Sequence, residues 1–328
     1  MKKIKVILLF PQQDHETGVF IKNAFNSIGG SRGRTTLQQT YDDINCEVVQ
    51  TLDPKVLKPE QLTENLLQGI ETHKPDLIFM SSTASLADSA RAVREAYPAI
   101  SRPKLAMWNV DSERELSRWK SLFPLVDQCD VFFTKSHGSV ELWRGEGFQH
   151  TYSLQQGIDR KVHNIPKLKQ ATHRHEVLFL GALDWWHEDS CARITLINRL
   201  DKEFKISYSN TVKLEAASKL YYSSLINIGS NHFPEVEGSV SVRDFKILGS
   251  GGFLLTNRVK GMENYFQEGV HCAYYDSVDD CVEKIRYYLD HNDEREEIAA
   301  NGYKEVHDKH GYDDRMMEVL KTCGLLKK

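Results

Sequence analysis

The chain has 328 residues, 40% hydrophobic and 27% charged, with a formal net charge of −4. That length exceeds one ordinary hydrophobic core and suits two domains of about 150 residues each, in a globular balance that needs no metal or disulfide framework to fold. The slight negative charge gives no global attraction to a polyanion, so nucleic acid enters only as a locally recognised acceptor.

Met1 to Phe10 is a basic start followed by a short apolar run that stops at Pro11-Gln12-Gln13. The run is too short for a signal peptide and no small-residue cleavage site follows, so a buried first strand is expected. No stretch approaches the roughly 20 apolar residues of a membrane span. The six cysteines are scattered, with no CxxC pair, and several sit in apolar segments. A reducing, cytoplasmic setting follows, and a structural zinc site is not expected.

Short apolar runs then alternate with segments of helical period, the pattern of βα repeats and parallel sheets. In the first half, strands are expected at 4–10, 46–50, 77–81, 105–110 and 131–134. Leu62, Leu66, Leu67 and Ile70 mark one helix face, and His73-Lys74-Pro75-Asp76 ends that helix. The stretch 159–175 is polar and basic, contains Pro166 and lacks apolar periodicity, as a linker does. Strands resume at 176–180, 204–208, 224–229, 253–256 and 272–275. Ser277 is placed to cap a helix whose stripe is Val278, Cys281, Val282, Ile285 and Leu289. The expected architecture is two Rossmann-like, doubly wound α/β domains facing a central cleft, since open parallel sheets bind ligands beyond their strands' carboxyl ends. The divisions are 1–165, 166–310 and a closing helix, 311–328, that packs back toward the first domain.

The most informative stretch runs from Gly238 to Thr256, GSVSVRDFKILGSGGFLLT. Ser239 or Ser241 can cap a helix there, and the glycines around Gly251 stop it before a buried strand. Exposed N–H groups at such a start favour an anion, and the glycines, Gly251 among them, allow close backbone approach as part of the donor site. Arg243 and Lys246, three residues apart, share one face of that helix and can neutralise a departing diphosphate; a solvated basic pair is the alternative. A second candidate is Gly181-Ala-Leu-Asp184-Trp185-Trp186-His187, directly after the first strand of the second half. One tryptophan there can pack on a sugar face and His187 can bond phosphate or hydroxyls, or the two can serve a domain interface and a helix cap. In the first half Asp111 follows the fourth strand. It is placed either to deprotonate an acceptor hydroxyl or to cap a helix beginning near Glu113. The loop Gly29–Arg34 is basic and glycine-rich, suited to an anionic acceptor or to no ligand. GxGxxG is missing after the first strand and no GxxxxGK[ST] occurs, which disfavours dinucleotide-dependent dehydrogenases and P-loop enzymes. Asp279-Asp280 lies inside a helix and is not a metal site.

The ordered set RDFKILGSGGFLLT, YFQEGVHCAYYDSVDDCVEKIRYYL and REEIAANGYKEVHDKHGYDDRM resembles the C-terminal signature of the CgeB-like (spore maturation protein) branch of GT-B glycosyltransferases. CDVFFTKSHGSVELWRGEGF and GIDRKVH extend the likeness into the first half. The resemblance implies a GT-B fold, a nucleoside diphosphate sugar (a UDP-sugar foremost) bound by the C-terminal domain as co-substrate, a hydroxyl acceptor at the N-terminal domain, and neither metal nor cofactor. It adds Arg193 as a donor-side residue, with a surface helix residue as the alternative, and Tyr312 and Arg315 as the closing motif. Relatives carry a ribose-binding glutamate where this chain has Lys246, and an acid eight residues earlier where it has Gly238, beside Glu237. A lysine cannot accept from ribose, so Lys246 is either a phosphate ligand or the mark of a silent nucleotide-sugar binder. An oxidoreductase or epimerase of Rossmann type is the remaining alternative.

Overall fold

The computed structural model describes residues 2–12, 17–28, 44–163, 175–183, 188–210, 212 and 214–326. Its contacts group into two compact units, Met1–Gln155 with Tyr312–Lys328, and Gln156–Gly311.

Unit 1 holds a six-stranded sheet in the order β2-β1-β3-β4-β5-β6, parallel throughout. Its strands are β1 (Lys2–Leu9), β2 (Ile44–Leu52), β3 (Leu77–Ser81), β4 (Lys104–Asn109), β5 (Val131–Thr134) and β6 (Thr151–Ser153). The inner strands β3, β4 and β5 are buried on both faces, which is why they read as continuous apolar runs. On one face Ile7, Leu9 and Ile78 pack with Leu66 and Ile70. On the other, Phe10 rests on Phe79 at 5.3 Å between centroids, and Phe79 meets Phe25 at 5.9 Å. The sixth strand escaped sequence reading because it is a three-residue edge strand whose central Tyr152 is exposed. The helices are α1 (Thr17–Ser27), α2 (Pro59–His73), α3 (Leu86–Ala96), α4 (Phe123–Gln128) and α5 (His137–Gly145). α2 stops where expected: Lys74 turns left-handed at φ 49° and Pro75 cannot continue it.

No helix begins near Glu113. Residues 112–116 are irregular, and a single 3-10 segment runs from Ser117 to Leu122. Glu113 points inward, 1% exposed, and accepts from Asn109 Nδ2, from Thr134 Oγ1 at 2.6 Å and from Trp143 Nε1 at 3.2 Å. A carboxylate held this way fixes the chain in an irregular path that a helix could not follow.

Unit 2 holds a five-stranded parallel sheet in the order β11-β10-β9-β7-β8. The strands are β7 (His175–Leu180), β8 (Ile206–Ser209), β9 (Ser224–Ile228), β10 (Leu254–Asn257) and β11 (Ala273–Tyr275). The helices are α6 (Glu188–Leu200), α7 (Leu214–Tyr222), α8 (Val242–Gly249), α9 (Val278–Asp290) and α10 (Asn292–Lys309). Val177, Phe179, Ile226 and Ile228 face one core, with Leu196, Ile197 and Ile285. Leu178, Leu180 and Leu254 face the other, with Phe245, Ile247 and Leu248 of α8. The last helix, α11 (Tyr312–Thr322), belongs to unit 1, where Tyr312 stacks on Phe20 at 5.6 Å and meets Trp108 at 6.3 Å.

The contacts divide the chain at Gln155/Gln156, ten residues before the 165/166 division expected from the polar stretch. Ile158 explains the shift. It is fully buried, bridges to Gly311, and lies under α8, where a Cβ on Gly249 would stand 2.9 Å from it. Residues 164–174, the rest of the expected linker, lie outside the described residues.

In unit 2 the chain leaves β7 for β8 on one side and returns to β9 on the other. The loops after β7 and β9 therefore diverge, and a crevice opens at their carboxyl ends.

Candidate functional site

Two arginines line this crevice. Arg243, in the first turn of α8, donates from Nε to Leu180 O at 2.6 Å and from Nη1 to Ser230 O at 3.2 Å. Arg193, from α6, is 6% exposed and donates to Ala182 O at 2.8 Å and to His232 Nε2 at 2.6 Å. Their guanidinium carbons lie 4.8 Å (Arg243) and 5.7 Å (Arg193) from the Phe179 ring centroid. Arg193 is thus a buried tie across the two strand ends and not the surface helix residue that sequence alone allowed. Gly181 makes room: a Cβ there would stand 2.3 Å from Arg243 Nη2.

The start of α8 is locked from below. Ser241 caps it, accepting from Arg243 N at 3.2 Å, and donates its own N–H to Asn231 Oδ1 at 2.6 Å. Asn231 Nδ2 donates to Asp244 Oδ2 at 2.8 Å, and Asn231 N donates to Asn257 Oδ1 at 2.6 Å. Asp244 is fully buried, which brings a carboxylate under the helix start, where the macrodipole favours it. Sequence reading missed Asn231, His232 and Asp244. An acid three residues after a serine cap is ordinary on a surface helix, so nothing in the sequence marked this one as buried.

Lys246 follows Arg243 by three residues, half-buried, and its ammonium makes no hydrogen bond or ion pair with any described residue. Loss of water around its ammonium, then the neighbouring Arg243 charge, pushes its pKa down to about 8. His163 stands beside it, 1% exposed, with Nδ1–H donating to Asp159 O at 2.9 Å. Burial lowers that imidazole to about 4, and Lys246 adds to the effect, so His163 is neutral at physiological pH. Arg243 and Lys246 therefore form a cationic pair with no carboxylate partner among the described residues.

Glu237 and Gly238 lie on the loop before α8. Glu237 faces Lys260 at 3.9 Å, and Gly238 takes φ 75° with its N–H on Lys260 O at 2.9 Å. Gly251 is not brought to the crevice: its N–H bonds Leu248 O at 2.9 Å beyond the far end of α8, about 12 Å from the helix start by the rise per residue. Its glycine is needed for the turn into β10, at φ 76°. Trp185, Trp186, His187 and the Gly29–Arg34 loop lie outside the described residues. Asp111 is exposed just past β4 in unit 1, and no helix follows for it to cap. Among the described residues no group of three or more His, Cys, Asp or Glu could hold a metal ion, and no helix is long and apolar enough to cross a membrane.

Residues 160–321 match the family model described as glycosyl transferase-like. No curated protein matches the sequence. Among solved structures, Anabaena Alr3699/HepE in complex with UDP-glucose is 12% identical with a TM-score of 0.60, over 97% of this chain and 99% of that one. Sucrose-phosphate synthase from Thermosynechococcus elongatus is 8% identical with a TM-score of 0.61, over 99% of both chains. A glycosyltransferase from Rickettsia africae is 11% identical with a TM-score of 0.59, again over 99% of both. At such identities the likeness establishes the fold, two Rossmann-like parallel-sheet units as in GT-B glycosyltransferases. A fold hosts many chemistries, and the site decides among them.

Proposed function

We propose that the chain is a GT-B glycosyltransferase of the CgeB-like branch, acting in the cytoplasm, that moves a sugar from a UDP-sugar to a hydroxyl acceptor. The observation that carries this reading is the Arg243–Lys246 pair, two neighbouring cations with no carboxylate partner among the described residues, at the switch point of a parallel sheet. Such a pair favours a polyanion, and a diphosphate carries the matching charge. The Anabaena protein of the same fold is in complex with UDP-glucose. In the transfer the acceptor oxygen bonds to the anomeric carbon, the bond from that carbon to the diphosphate breaks, and the diphosphate keeps the electron pair. Arg243 and Lys246 stabilise that charge with groups already in place, commonly the largest catalytic contribution. Asp111 takes the acceptor proton. Arg193 holds the backbone after β7 at Ala182 O, and Trp185, Trp186, His187, Glu237 and Gly238 are assigned to the donor.

The test is release of UDP from UDP-glucose by the full chain, with and without EDTA. Turnover that survives chelation is expected, because fixed cations and the helix start handle the leaving charge. Strict dependence on manganese or magnesium would show that this site has been misassigned. Gly181→Ala should weaken UDP binding about tenfold, because the new Cβ displaces the Arg243 guanidinium, a charge-assisted contact worth roughly 1.5 kcal/mol or more. Calorimetric titration of that variant checks it; unchanged affinity would remove Arg243 from the phosphate site.

A further inference from the structure

We infer that unit 1 carries a site for a neutral carbohydrate at the carboxyl ends of β4, β5 and β6, formed by Asp111, His137, Ser153 and Glu318. The inference rests on the glycosyltransferase reading and names the acceptor class for it.

Strand register brings the groups together. Asn109 pairs with Thr134, and Thr134 with Ser153. The residues just past these strands therefore emerge side by side, at about the 4.8 Å spacing of neighbouring strands. Ser136 Oγ donates to Ser112 Oγ at 2.7 Å, tying the residue after Asp111 to the residue before His137. Glu113, buried beneath, locks the same two strand ends through Asn109 and Thr134. Asp111 and His137 are thus held on either flank of one serine pair, and both are exposed. From the start of α5, His137 Nδ1 reaches Ser153 Oγ at 3.1 Å. α11 supplies Glu318, half-buried and within electrostatic reach of His137. Burial raises the Glu318 carboxyl above its usual range, and the charges of Arg315, His137 and Lys321 oppose the rise.

The chemistry of this set selects its ligand. Each sugar hydroxyl both donates and accepts. Carboxyl groups, a hydroxyl and an imidazole together present both functions at one edge. A neutral polyol meets partners for successive hydroxyls, whereas an anionic group beside the exposed Asp111 carboxylate would be repelled; Arg315 and Lys321 act on the Glu318 side. His137 binds the acceptor beside the hydroxyl that Asp111 deprotonates.

Saturation-transfer NMR on the full chain, with and without UDP, tests this with D-glucose, D-galactose, N-acetylglucosamine and glucose 6-phosphate as probes. At least one neutral sugar should bind, and glucose 6-phosphate should bind no better than glucose. His137→Ala should weaken the neutral sugar about fivefold or more, His137→Gln should recover part of that, and Glu318→Gln should act in the same direction. UDP affinity, read on the same samples, should not change in His137→Ala. Three results would each overturn the site: no neutral sugar bound by the native chain, glucose 6-phosphate bound best, or sugar binding indifferent to His137→Ala. Sugar binding that depends on His137 in a chain that binds no UDP would instead refute the donor reading of unit 2 and leave this site standing.

Discussion

Replacing Lys246 with alanine should weaken UDP binding about tenfold to a hundredfold, the loss of one charge-assisted hydrogen bond worth roughly 1.5–3 kcal/mol. UMP should lose less, because one phosphate of the diphosphate is missing. Lys246→Glu should nearly abolish binding, since it sets a carboxylate against phosphate in a half-buried position beside Arg243. The pH dependence has a defined sign. With its pKa pushed down to about 8, Lys246 is mostly charged at pH 7 and loses its proton as pH rises through 8. UDP affinity in the native chain should therefore decline above pH 8, and Lys246→Ala should lack that decline. Calorimetry at pH 7 and pH 9.5 reads both effects. If Lys246→Glu binds UDP better than the native chain, the position takes ribose and not phosphate, and a silent nucleotide-sugar binder becomes the better reading.

The second large effect concerns the base. Asp111→Asn should lower turnover of UDP-glucose in the presence of acceptor by about 10²–10⁴-fold, the usual range for a positioned proton acceptor, while leaving UDP affinity unchanged. Asn caps a helix nearly as well as Asp, so a capping role would leave the variant insensitive. With residues 112–116 irregular there is no helix for Asp111 to cap, and native turnover in this variant would remove it from the mechanism.

The fold was legible where burial forces a simple pattern. Strands covered on both faces must be apolar throughout, so runs such as Leu77–Ser81 and Val131–Thr134 stand out against their polar surroundings. Helix caps were legible in part: Ser277 accepts from the backbone as expected, and of the two serines that could cap α8, Ser239 and Ser241, it is Ser241 that does. What escaped depends on neighbours distant in sequence. Glu113 reads as a helix start, yet it is drawn inward by Thr134 and Trp143, 21 and 30 residues on. Asp244 reads as a surface acid, yet Asn231 buries it. Gly251 reads as part of a phosphate-binding cluster because glycines permit close approach, but that freedom is used in the turn into β10. At the site, Arg243 and Lys246 were legible as a pair from their spacing. That neither has a described carboxylate partner depends on which acids the fold brings near, and no local pattern records it.

Titration of the native chain with UDP, UMP and uridine in turn is the most direct test of the central claim, that unit 2 binds a nucleoside diphosphate through Arg243 and Lys246. One UDP should bind per chain, at least about tenfold tighter than UMP and tighter still than uridine, a step of roughly 1.4 kcal/mol or more for the second phosphate. Equal affinity for UDP and UMP, or no binding of UDP at all, would contradict it.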